Sequence, residues 1–341
     1  MGKSLVNSSE PVHALYVSGW GIGQASTLKH FVDLANRTEI NTYVVDVKED
    51  DGLVSFPSKV ALAKELKTST RKFDPALTIS QLHKNNIRII GRIVCFKDPV
   101  LPLKRPDLAL KDKQGKLWRD NDGIAWINPY NKTNWKYLVD LAKEALDLGF
   151  DEIQFDYVRF TNNGDMSKVD FGNSPAPKFE AINGFLSYAR SVMPNAVLSA
   201  DVFGIICESP GDTEGIGQYL EKIGENMNYI SPMIYPSHYY NNSMINNVNF
   251  PKPDLDPYGI VYNAMYKAQN RVKSAPKFKA QFRPWLQDFT QTDLGKGNFQ
   301  VYGAKQVREQ IEAAKQAGCN GWIFWNVDNK YSEDAFLPTK K

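Results

Sequence analysis

Two short stretches place carboxylates where carboxylates are costly. Residues 149–160 read GFDEIQFDYVRF, an apolar run carried by Ile153, Phe155, Tyr157, Val158 and Phe160, yet Gln154, Asp156 and Arg159 stand within it. Ionised carboxylates are almost never buried without a partner or a task. Alternate residues of a strand share a face, so Ile153, Phe155 and Tyr157 are expected on one side and Gln154 and Asp156 on the other. Residues 196–204, AVLSADVFG, repeat the parity, with Leu198, Ala200 and Val202 opposite Ser199 and Asp201. On neighbouring strands ~4.8 Å apart, two such carboxyls repel, and one of them keeps its proton. That is how a protonated acid and an ionised partner coexist in one site. A lone Asp at a strand end serves equally well to cap a helix or to pair with Arg92 or Arg159. Two at one level favour catalysis.

Other groups converge on the same strand ends. VVDVKEDD offers Asp46 and Lys48, for which a salt bridge and a substrate contact are equally good readings, and MIYPSHYY offers Tyr235, His238 and Tyr239. FRPWLQDF carries Arg283, Trp285 and Gln287 on one parity with Asp288 beyond, while FWNVDN carries Trp325, Asn326 and Asp328. Trp126 lies in a loop. A single Trp is more often core than platform, but rings concentrated at strand ends among amides and hydroxyls suit a sugar. Rings stack on its C–H faces and polar groups take its hydroxyls. Two inward carboxylates with this lining point to glycoside hydrolysis. We expect Asp156 to be the nucleophile and Asp201 the acid/base, with retention of configuration, because retaining enzymes hold their carboxyls about 5–5.5 Å apart. Glu208 and Asp288 are the alternative acids. Asp46, Lys48, Arg92, Trp126, Gln154, Arg159, Tyr235, His238, Trp285, Gln287, Trp325 and Asn326 are the expected substrate contacts.

The elements that must position these groups are eight strand-like runs, at 13–20, 42–49, 87–96, 152–160, 196–204, 229–236, 278–286 and 321–327. Helical patterns lie between them. In one, Trp135, Leu138, Leu141, Ala142, Ala145 and Leu148 recur near the helical period before Gly149; in another, Val307, Ile311, Ala314 and Ala317 precede Gly318. Strands alternating with helices predict a parallel sheet. Eight units without a dinucleotide-binding glycine fingerprint predict an α/β fold, a single (β/α)8 TIM barrel over residues 12–335, between a flexible segment 1–11 and a tail 336–341. Long loops, 97–133 after the third strand and 237–256 after the sixth, fall on the face where barrel enzymes keep their sites.

Composition narrows the class. The 341 residues suffice for one large barrel without disulfide staples. A formal charge of +3, spread along the chain with no nucleic-acid module, argues against nucleic acid as a partner. Cys95, Cys207 and Cys319 lie too far apart for a metal spacing, and the four histidines form no HxH or HExxH pattern, so no metal or cofactor is expected. The same scarcity disfavours an esterase or deacetylase. No run approaches the ~18 apolar residues of a membrane span. The start MGKSLVNSSEP lacks the apolar core of a signal peptide, which fits a cytoplasmic protein, or an extracellular or cell-surface one whose export segment lies outside this sequence. A carbohydrate-binding barrel without turnover is the rival function; it would share the aromatic mouth but would not need both Asp156 and Asp201.

RIVCFKDPVL, RPDLALKD, WRDNDGIAWINPYN, GFDEIQFDYVRF, ISPMIYPSHY and FRPWLQDFT together resemble a bacterial family of putative glycoside hydrolase domains, similar in turn to α-amylase-type and polygalactosaminidase-type barrels. The resemblance spans about residues 12–330. It implies a (β/α)8 barrel acting on carbohydrate, with Asp156 matching the usual strand-4 nucleophile. The strand-5 acid is often Glu in those barrels, whereas this chain carries Asp201. After PSHY, a Gly/Pro-rich turn is replaced by YNNSMINN. An α-linked bacterial polysaccharide, amino-sugar-based ones included, fits this kinship.

Overall fold

The computed structural model of the chain describes residues 10–171 and 175–338. Most of the expected flexible segment 1–11 and the end of the expected tail lie outside the described residues. Eight parallel strands form the barrel: β1 (Val12–Val17), β2 (Thr42–Lys48), β3 (Arg88–Val94), β4 (Glu152–Asp156), β5 (Leu198–Phe203), β6 (Tyr229–Met233), β7 (Trp285–Gln287) and β8 (Gly321–Trp325). Each pairs with its successor, and β8 pairs with β1 through Val12 opposite Gly321, so the sheet closes. Between them run α1 (Ala25–Arg37), α2 (Pro75–Lys84), α3 (Lys132–Leu148), α4 (Lys178–Val192), the single turn α5 (Leu220–Ile223), α6 (Pro257–Val272) and α7 (Ala304–Gln316). The expected (β/α)8 barrel is the observed fold.

Local chemistry sets the element ends. The side chain of Asn131 caps α3 by accepting from the Thr133 amide, and Gly149, at φ 111°, ends it in the left-handed conformation that glycine tolerates. The predicted face of α3 is buried through Leu138, Leu141, Ala142 and Ala145. Phe96 and Phe155 meet Phe185 of α4 edge-on, at 5.4 and 5.2 Å between ring centres, in the layer between strands and helices.

Two of the strands depart from their apolar runs for a plain backbone reason. β4, expected to reach Phe160, stops at Asp156 because Tyr157 takes φ 48°, a conformation uncommon outside glycine. The seventh run is interrupted: Gln281–Phe282 pairs with β6 and Trp285–Gln287 comes next, separated by Arg283 and Pro284. Pro284 has no N–H to give the ladder. Arg283, expected at the mouth, instead lies fully buried in the floor. There it donates to both oxygens of Glu152, the longer contact at 3.1 Å, and its guanidinium sits 4.3 Å from the Tyr229 ring centre. Ser199 donates to the same Glu152 at 2.5 Å. A buried ion pair of this kind adds little net stability but strongly penalises removal of one member.

The loops after β3, β4 and β6 build the mouth. Lys111–Asp112 from the first pairs antiparallel with Val169–Asp170 from the second. The YNNSMINN segment forms a hairpin, Ser243–Ile245 against Val248–Phe250, turning at Asn246 and Asn247 with φ 52° and 64°. Asparagine is the non-glycine residue best suited to such a two-residue turn.

Candidate active site

A cavity of about 700 Å³ opens at the C-terminal ends of the strands, lined among others by Tyr16, Arg92, Asp156, Tyr157, Arg159, Asp201, Tyr235, His238, Trp285 and Trp325. The two carboxylates singled out in sequence lie in its wall. The β4–β5 register pairs Phe155 with Ala200, so Asp156 and Asp201 come next, side by side on adjacent strands.

Their surroundings differ sharply. Asp156 Oδ2 accepts from Arg92 Nε at 2.9 Å and Nη2 at 2.6 Å, and Oδ1 accepts from the Tyr157 amide at 2.6 Å. Three donors, two of them cationic, fix this carboxyl in place. Asp201 Oδ1 accepts the indole N–H of Trp285 at 2.8 Å, while its Oδ2 is buried without a partner. Burial, reinforced by the charge of Asp156, holds the Asp201 carboxyl well above the usual carboxylate range.

Arg92 is shared. Its Nη1 donates to Asp46 Oδ1 at 2.6 Å, and Tyr16 Oη donates to Asp46 Oδ2 at 2.6 Å. Burial opposes the guanidinium charge, but Asp156 and then Asp46 more than offset it and raise its pKa. Burial pushes Asp46 up as well. One guanidinium thus serves two of the three carboxyls, which leaves Asp201 as the one without a cationic hydrogen-bond partner.

The turn of the backbone at Tyr157 redirects residues 157–160. Tyr157, expected to face the helices, lines the cavity with Arg159. The Arg159 guanidinium sits 4.3 Å from the Phe203 ring centre and 5.2 Å from both Trp126 and Tyr157. At Gly204, just past β5, a Cβ would stand 2.5 Å from the Met233 carbonyl oxygen and 2.8 Å from Tyr239 Oη. Only glycine lets the chain pass so close to β6.

Several expected contacts stand elsewhere. Lys48 is fully buried and pairs with Asp98 at 3.0 Å and the Val94 carbonyl at 3.0 Å, because the β2–β3 register shifts between Asp46 and Lys48. Glu208 is held by Lys267 at 2.6 Å, and Asp288 accepts from the Ser332 amide and hydroxyl at 2.7 and 2.8 Å. Neither lines the cavity. Gln154 is buried in the barrel, donating to Ser231 at 3.2 Å. Gln287 accepts from the Ser237 amide at 3.0 Å, donates to Asp254 at 3.2 Å, and so props the loop after β6. Asn326 donates to the Asp288 carbonyl at 2.5 Å, and Trp126 donates to Asp120 at 2.9 Å beneath Arg159. Asp46 sits behind Arg92. These side chains support the wall rather than form it.

Sequence reasoning passed over Tyr16, Phe203, Gln218 and Tyr240, all in the lining. Tyr16 was within reach, since it falls one residue before the end of β1. Gln218 and Tyr240 arrive on loops, where no periodicity marks them.

Among the described residues no helix is long and apolar enough to cross a membrane. No curated protein matches the chain. A hypothetical protein from Ruminiclostridium thermocellum ATCC 27405 is 50% identical over 55% of this chain and 97% of its own, with a TM-score of 0.53. The PgaB (BpsB) glycoside hydrolase domain from Bordetella bronchiseptica is 12% identical over 96% of this chain and 99% of its own, at TM-score 0.65. A class V chitinase from Nicotiana tobaccum is 11% identical over 96% and 98%, at 0.53. The last two likenesses are of fold. Residues 14–331 match the family described as a putative glycosyl hydrolase domain, and the chain belongs to it.

Proposed function

We propose that this member of the putative glycosyl hydrolase domain family cleaves a poly- or oligosaccharide by a two-carboxylate mechanism, with Asp156 as nucleophile and Asp201 as general acid/base. The observation that carries the reading is the asymmetry of the neighbouring pair. Asp156 is bound by a guanidinium, while Asp201 is buried beside that negative charge with one oxygen free.

Asp201 Oδ2–H gives its proton to the glycosidic oxygen as the bond to the anomeric carbon breaks. Asp156 attacks that carbon from the opposite face and forms a glycosyl ester. Esterification removes the Asp156 charge, which was holding Asp201 protonated, so Asp201 can now remain ionised. A water entering the vacated position loses its proton to Asp201 and displaces Asp156 from the sugar. Configuration is retained after two inversions. Trp285 orients Asp201 throughout, and Arg92 fixes Asp156 on the attack line.

Adjacent strands ~4.8 Å apart support the short carboxyl separation of retaining enzymes. Proton NMR of the first-formed product tests this: the starting anomer is expected, and the opposite anomer would assign inversion. The kinship favours an α-linked substrate. Asp50 and Glu214 on the cavity wall make an amino sugar acceptable there.

A further inference from the structure

Beyond the catalytic cavity, the same face of the barrel continues into a second depression. It is lined by Ser18, Trp20, Gln24, Thr27 and Asp328, and shares Val327 with the cavity wall. Trp20 and Val327 are 61% and 67% exposed, on the loops after β1 and β8. An exposed apolar residue alone needs no explanation. Here the two lie on one path, with Val327 only two residues beyond Trp325 of the cavity wall.

The platform is rigid. Ser18 caps the helical turn Gly19–Ile22, its Oγ accepting from the Gly21 amide at 3.2 Å. Asn329 Oδ1 accepts from the Ser18 amide at 3.0 Å and from its hydroxyl at 2.8 Å, bolting the β1 loop to the β8 loop. Asn329 is itself held at φ 55°, with its side chain donating to the Asn326 carbonyl at 3.2 Å. A Cβ on Gly21 would stand 2.8 Å from Asn329 Oδ1, so the residue beside Trp20 must be small. The backbone that carries the indole is therefore fixed, and the indole stands out to solvent with amide and hydroxyl side chains around it.

We infer that Trp20 is the stacking platform of an additional saccharide subsite, reached across Val327, and that the substrate is a polymer long enough to run from the cavity onto it. This rests on the hydrolase reading for its direction. The binding claim, however, can be tested apart from cleavage. An indole face meets the C–H face of a pyranose, and Gln24, Thr27 and Asp328 are placed to take its hydroxyls.

The experiment uses the whole chain with Trp20→Ala and Trp20→Phe, in both the active and the Asp156→Asn backgrounds. Turnover is measured on 4-nitrophenyl glycosides and on soluble polysaccharides, and retention on the same polysaccharides by affinity electrophoresis. We expect Trp20→Ala to lower kcat/KM for the polymer on the order of tenfold, comparable to one aromatic contact. The 4-nitrophenyl substrate should be unaffected, and Trp20→Phe should restore much of the loss. If no glycan is cleaved but one is retained by Asp156→Asn and released by Trp20→Ala, the subsite stands and the hydrolase reading falls. Equal polymer turnover and retention with and without the indole would overturn the subsite, as would a chain that retains no polysaccharide at all.

Discussion

The indole of Trp285 donates to Oδ1 of Asp201 at 2.8 Å and leaves Oδ2 buried without a partner. A carboxyl in this position is more stable protonated, since its charged form has lost water and gained a negative neighbour in Asp156. The free oxygen is the one that can carry a proton to a substrate.

That burial makes stability depend on pH. Asp201 has a raised pKa when folded and an ordinary one, about 4, when unfolded. Between those values the unfolded chain has released a proton that the folded chain still holds, so stability falls as pH rises. Asp201→Asn removes this penalty and keeps an acceptor for Trp285. The variant should melt higher than wild type at neutral pH, with the difference shrinking as pH falls toward 4. A variant less stable at pH 7 than at pH 4, relative to wild type, would contradict it. Activity of the wild type should correspondingly persist above the ordinary carboxylate range and decline only where Asp201 ionises.

Arg92 binds both Asp46 and Asp156. Arg92→Met would strand two buried carboxylates, which should cost about 3–5 kcal/mol. Urea unfolding would register this as a lower midpoint with an unchanged slope. A cost under about 1 kcal/mol would mean the pair is solvated as a surface bridge is.

Glu208 and Asp288 were reasonable acids in sequence, but each is occupied outside the cavity. Glu208→Gln and Asp288→Asn should keep kcat within a few-fold of wild type once folding is verified. A loss of the ~10²–10⁴-fold expected for an acid/base residue, in either variant, would displace Asp201 from that role.

Lys48 is a structural cation. Lys48→Met strands Asp98, whose Oδ2 lies 3.0 Å from the ammonium, and should destabilise by about 3–5 kcal/mol. The KM of the folded fraction should not move; a raised KM with unchanged melting would restore Lys48 as a substrate contact.

The barrel was legible because its strands and helices carry clean periodicities. Asp156 and Asp201 were legible because charge inside an apolar alternation is costly. Strand alternation misplaces a side chain where the backbone leaves the regular strand: at Tyr157, where a positive φ turns the chain, and at Arg283, where Pro284 interrupts the ladder. Lys48, for which a salt bridge and a substrate contact read equally well, makes the salt bridge, behind a register shift. Whether a polar side chain lines the mouth or braces it depends on partners distant in sequence, as Gln287 with Asp254 and Asn326 with Asp288 illustrate. The hairpin at Asn246–Asn247 had a readable signal in its paired asparagines; its place over the mouth did not.

The most direct measurement is hydrolysis of a panel of polysaccharides and aryl glycosides by wild type, Asp156→Asn and Asp201→Asn, with folding checked by circular dichroism. Wild type should cleave at least one substrate, and each variant should lose on the order of 10²–10⁴-fold or more in kcat. An active wild type whose rate survives both substitutions would contradict the two-carboxylate assignment.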